Sequence, residues 1–259
     1  MTRLTFAAGM LALPACQLFA SSPGAAVPPP PLVQVQQVDA ARREAAMKLV
    51  KTVRSEHYVL AEAARVFDGT VANEMQKNEA IASLELAYPG VTQHMVLAVR
   101  TVVEKEMVAS VPELWDSMAT IYASTMTVAE LDQARAYYES PSGRRLLELT
   151  IANMDVGKMM GSVIANPDAK IRSADIHAGV QSGVPDAMRE MTAEDSAALL
   201  RFAATPAFEK IRAIAPRLLE ATTAWSNKEN PELDAEVAAT MERSASSFIE
   251  AADKKKTSK

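Results

Sequence analysis

The sequence predicts an all-α fold, a multi-helix bundle, on three observations. Alanine and methionine are heavily used while glycine (9) and aromatics (5%) are scarce in the 259 residues, a bias that favours helices because unbranched side chains lose little freedom there. Apolar residues recur at helical spacing through most of the chain, with charged residues between them. No alternating stretch competes as a strand, and prolines and capping residues punctuate the stripes at regular intervals.

Residues 1–20 read as a signal peptide: Arg3 is a short positive region, Leu4 to Leu13 a short apolar one, and Pro14 precedes small residues. Leu13-Pro14-Ala15-Cys16 resembles a lipobox, which makes Cys16 a candidate lipid attachment, although Pro14 stands where that pattern carries a small residue. Cleavage after Ala20, or near Ala25 and Ala26, is the competing reading. The expected location is therefore periplasmic or secreted, or else lipid-anchored in the bacterial envelope. Cys16 is the one cysteine, so a processed chain has no disulfide and no cysteine nucleophile. Residues 21–37, rich in proline, form a disordered spacer before a helical domain over 38–251. The tail 252–259 holds four lysines and no apolar anchor and is expected to fray.

Within the domain, Leu49, Val50, Val53, Leu60, Ala61, Ala64 and Phe67 predict one long helix from Ala46, with His57 on the stripe and Arg54 and Glu62 facing away. A helix over about 71–86 ends before the turn Tyr88-Pro89-Gly90. Val96, Val99, Val103 and Met107 stripe the next, to about Ser110, and Pro112 starts another that carries Leu114, Trp115, Met118 and Tyr122. Thr127 and Glu130 form a capping-box pattern. That helix ends at Ser140-Pro141, where Ser140 caps a further helix and Pro141 occupies its first position. Leu149, Val156, Met160 and Val163 stripe it as far as Asn166-Pro167, and a weaker helix runs from there to about Gln181.

Sliding the chain by 65 residues reveals an internally repeated helical hairpin. Met126-Thr127 aligns with Met191-Thr192, Glu130 with Asp195, Tyr137 with Phe202, Ser140-Pro141 with Thr205-Pro206, and Arg145 with Lys210. The second copy, about 184–225, has Phe208 in place of Gly143 and is degenerate. Its later helix is striped by Phe208, Ile211, Ala215, Leu218 and Trp225, and Asn230-Pro231 breaks the chain before a final helix to about Ala251.

The run from Ile121-Tyr122 through Met126-Thr127-Val128-Ala129-Glu130-Leu131 to Tyr137-Tyr138-Glu139-Ser140-Pro141-Ser142-Gly143-Arg144-Arg145-Leu146 resembles the bacterial family catalogued as domain of unknown function 2059. The likeness is closest over Tyr122 to Leu147 and extends over about 71–163. Met126 and Tyr137 stand where that family uses phenylalanine, and arginine where lysine is common. The resemblance implies a helical, secreted or periplasmic protein and no reaction.

Chemistry-bearing patterns are sparse. His57, His94 and His177 are far apart and have no metal-ligand spacing with carboxylates. Glu104 and Glu106 flank Lys105 on a solvated face, and Met154, Met159 and Met160 read as core filler. No catalytic, cofactor-binding or metal residue is assigned. A net charge of −5 argues against nucleic acid, and no apolar run of about 18 residues offers a transmembrane helix. One candidate anion or partner site remains, Ser140, Gly143, Arg144 and Arg145 at a helix start. Packing and capping are the preferred explanation of it, with the arginines expected to pair with acids such as Glu139 and Glu148. The expected function is a non-catalytic envelope protein that binds a partner protein or a hydrophobic or anionic molecule. The alternative is a periplasmic hydrolase whose active site leaves no linear motif.

Overall fold

The computed structural model describes residues 39–165 and 169–257. The signal peptide, the Pro-rich spacer, Cys16 and the Asn166-Pro167 stop lie outside the described residues. Those described form an all-α bundle without strands: α1 (Ala40–Val53), α2 (Glu56–Val66), α3 (Ala72–Lys77), α4 (Glu79–Ala87), α5 (Val91–Thr125), α6 (Val128–Glu139), α7 (Pro141–Asn153), α8 (Val156–Ala165), α9 (Ser173–Glu190), α10 (Ala193–Ala203), α11 (Pro206–Ser226) and α12 (Pro231–Thr257).

The helix expected from Ala46 to Phe67 is two helices. Asp39 caps the first, accepting from the Arg42 amide at 2.7 Å. Arg54 leaves helical geometry (φ −129°, ψ 43°), and the Ser55 hydroxyl then accepts from the Tyr58 amide to start α2. This break turns the downstream face, so Tyr58, Val59, Glu62 and Ala63 point inward and His57 outward. Arg54 and Glu62, expected on the solvated side, are 1% and 3% exposed. A π-turn, Phe67–Val71, follows α2. The helix expected over 71–86 is also divided, because the Asn78 side chain accepts from the Ala80 and Ile81 amides and starts α4 afresh.

Tyr88-Pro89-Gly90 forms the turn as expected, with Gly90 at φ 95°, a conformation that only glycine adopts without cost. The Glu85 carboxylate accepts from the Gly90 and Thr92 amides at 2.6 and 2.9 Å, which holds its pKa below the usual value. Pro112 does not start a helix. It lies inside the 35-residue α5, where it denies Val108 an amide donor. Since α1, α2, α11 and α12 all pack on α5, burial along its length offsets one missing bond. Its inner face includes Val96, Val99, Val103, Met107, Leu114, Met118 and Tyr122.

Beyond the hairpin, the stripe read as one helix to Val163 breaks at Met154-Asp155, and the Asp155 carboxylate caps α8 through the Lys158 amide. Met154, Met159 and Met160 are buried in a second small core with Val156, Ile171, Ile176, Val180 and Leu219. The helix expected to end near Gln181 runs to Glu190 as α9, through Pro185. The last helix likewise passes Ala251 and continues to Thr257, where Tyr88 donates to Asp253 (3.3 Å) and Lys256 lies 4.7 Å over the Tyr88 ring.

Candidate functional site

The candidate residues sit where α6 hands over to α7. The Thr127 hydroxyl accepts from the Glu130 amide at 3.3 Å, and the Glu130 carboxylate accepts from the Thr127 amide at 2.8 Å, a complete capping box. The Ser140 hydroxyl donates to the Tyr137 carbonyl (2.6 Å) and accepts from the Gly143 amide (3.1 Å), with Pro141 in the first helical position. A Cβ on Gly143 would stand 2.0 Å from the Tyr137 carbonyl oxygen, so the hand-over is closed backbone to backbone. Burial of the Glu130 carboxyl pushes its pKa up, but hydrogen bonds from Lys210 and Thr127 hold it below the ordinary value.

The two arginines part company. Arg144 is exposed and, among the described residues, makes no ion pair; its charge and that of Glu148 act in opposite senses on the pKa of Tyr58, which burial raises. Arg145 points to the second hairpin. Its Nε lies 3.4 Å from the Asp195 carboxylate, and its guanidinium donates to the Glu190 carbonyl at 3.0 Å. Hydrogen bonds from Thr192 and Ser142, with Arg145 nearby, keep the Asp195 carboxyl below its ordinary pKa. The expected pairing with Glu139 and Glu148 does not form: Glu139 is held by Arg135. The anion that Arg145 engages is a carboxylate from the same chain. Asp195 was visible in the sequence only as the counterpart of Glu130; that it crosses to Arg145 was not.

Around this joint, Tyr137 is partly buried and stacks on Phe202 at 4.2 Å and 11°, while Tyr138 meets Phe202 edge-on at 5.7 Å. Tyr137→Ala should therefore cost about 2–3 kcal/mol in urea melts, the loss of a half-buried ring and one stacked pair. A loss below about 1 kcal/mol would place the ring outside the core.

The sequence reading missed the most buried charges. Arg54 and Glu62 form a bidentate pair, 2.6 and 2.9 Å, beside a small pocket lined by Leu147, Thr150, Ile151, Met154 and Val180. Burial pushes the Glu62 carboxyl up to about 7, against the pull of Arg54. The Arg54 carbonyl accepts from the Trp115 indole at 2.7 Å.

His57 and His94 are exposed and His177 is half-buried on a separate helix. No group of three or more His, Cys, Asp or Glu side chains able to hold a metal occurs among the described residues, and no helix there is long and apolar enough to cross a membrane. No curated protein and no solved structure matches the chain. The second half of α5 with α6, α7 and α8 is nevertheless recognisable: residues 112–166 match the model of the family described as an uncharacterized protein conserved in bacteria (DUF2059).

Proposed function

We propose that this chain is a non-catalytic protein of the bacterial envelope that acts by binding another protein. The observation that carries this reading is α4. Its nine residues (Glu79–Ala87) include Ile81, Leu84 and Leu86, none of them is buried, and Leu86 is 86% exposed. Leu97, on the first turns of the helix that follows, is 50% exposed. Ile81 is partly buried against the core and Leu84 half-buried, and the uncovered side chains Leu86 and Leu97 are suited to an apolar surface on a partner. The export-type N-terminus supports the compartment.

Two experiments test the two parts. A photo-crosslinking amino acid at Leu86, in the natural host, should give one discrete adduct with an envelope protein, and the same probe at Lys48 on α1 should give none. No adduct at Leu86, or equal adducts at both positions, would overturn the binding surface. Mass spectrometry of the natively made protein should find a first residue between Cys16 and about Val27. An intact Met1 or Thr2 would end the envelope assignment, and a diacylglyceryl Cys16 would decide for the lipid-anchored form.

A further inference from the structure

We infer that α9–α11 is a second copy of the unit formed by the last half of α5 with α6 and α7, that the two are packed about a local twofold axis, and that the partner this unit recognises is therefore another copy of itself, supplied here within one chain. The bounds of the helices agree with the 65-residue offset. The second unit begins with α9 (Ser173–Glu190), whose end lies 65 residues beyond the end of α5 at Thr125. Both units then carry a complete capping box, at Thr127 with Glu130 and at Thr192 with Asp195. Both hand over through a hydroxyl followed by proline: Ser140 accepts from the Gly143 amide, and Thr205 accepts from the Phe208 amide at 3.3 Å. Each hydroxyl also donates to the carbonyl of its unit's aromatic, Tyr137 or Phe202.

Likeness alone does not fix the relation between the copies; the contacts between them do. In a stacked repeat, residue i of one copy meets residue j of the next, and the reverse contact is absent. About a twofold axis both contacts occur, and residues near the axis meet their own equivalents. All three signatures are present. Arg145 of the first copy pairs with Asp195 of the second at 3.4 Å, and Lys210 of the second pairs with Glu130 of the first at 2.8 Å. Each acid is the third residue of its helix and closes a capping box, and each base stands at the same place on the helix after the joint. The helix packing crosses in the same way: α7 lies on α9 and α10, while α11 lies on α5 and α6. At the centre, the equivalent rings Tyr137 and Phe202 stack on one another at 4.2 Å.

Zero-length carbodiimide coupling of the full-length protein tests this, since it joins an amine to a carboxylate only where the two are in contact. In Arg145→Lys protein, peptide mapping of the monomer should find two links between the units, Lys210 to Glu130 and the lysine at 145 to Asp195, with yields within about threefold of each other. Adding Asp195→Asn should abolish the second link and leave the first. Wild type, with its native arginine, should give Lys210–Glu130 as its one link between the two units, so a folding defect in the variant does not remove the test. Absence of that link in wild type, or of the second link in a variant that melts as wild type does, would overturn the twofold arrangement. Links found only in a covalent dimer would overturn the assignment of the partner to the same chain.

Discussion

Replacing Arg54 with methionine should destabilise the protein by about 3–5 kcal/mol near pH 8, because it strands the Glu62 carboxylate in a site 3% exposed. The loss should shrink at pH 5.5, where Glu62 can take up a proton and enter the core neutral. The wild type carries a weaker form of the same dependence. The Glu62 carboxyl is raised from 4.5 to about 7 in the folded chain, so the folded state binds this proton more tightly than the unfolded one. Its contribution is complete below pH 4.5 and is lost as pH rises through about 7. Glu62→Gln should flatten that part of the stability profile while leaving Arg54 poorly paired and the protein weaker throughout. The double variant Arg54→Met with Glu62→Leu should be about as stable as wild type or more so, since an apolar pair of similar volume carries no desolvation cost. Urea melts of the four proteins from pH 5 to 8 decide this; a single variant costing under about 1 kcal/mol at pH 8 would show that the pair is solvated.

Gly143→Ala should cost about 3 kcal/mol or more, a fall of roughly 6–12 °C in melting temperature for a domain of this size. The added methyl would lie 2.0 Å from the Tyr137 carbonyl oxygen and 2.7 Å from the Tyr138 Cα, and these are backbone atoms with no rotamer to change. The hand-over could accept the methyl only by moving α7 off α6, which would also pull Arg145 from Asp195. A calorimetric shift under about 2 °C would mean that the joint opens without strain.

What the sequence showed and what it concealed follow from the range of the forces involved. Thr127, Ser140, Thr192 and Thr205 act on amides three residues away, so their roles as caps were legible residue by residue. Ser55, Asn78 and Asp155 do the same work at the breaks after α1, α3 and α7. They stand inside apolar stripes that look continuous, and the stripe outweighed the cap. The break at Arg54-Ser55 sufficed to bury Arg54 and Glu62 and to leave His57 exposed. Pro112 erred the other way: a local helix-breaker was overridden by four helices packed along α5. At the candidate site the anion-attracting geometry was readable from Ser140 and Arg145, but its occupant came from a residue 50 positions along the chain, beyond the reach of any local pattern.

The unequal joints also bear on how such a protein can change over time. Two identical subunits must carry the same residue at matching positions, so a substitution that suits one side of their interface is imposed on the other. Here the matching positions of the proposed twofold arrangement belong to one polypeptide, and they carry different residues. The first is Gly143, closed on the Tyr137 carbonyl. The second is Phe208, whose ring meets Phe202 edge-on at 5.5 Å, and there α10 leaves helical geometry at Ala204, one residue earlier than its counterpart α6 does. One joint is sealed by main chain and the other by a side chain. In the proposed twofold arrangement each half can therefore be selected separately, and the half that carries Gly143 is the one that matches DUF2059, over residues 112–166.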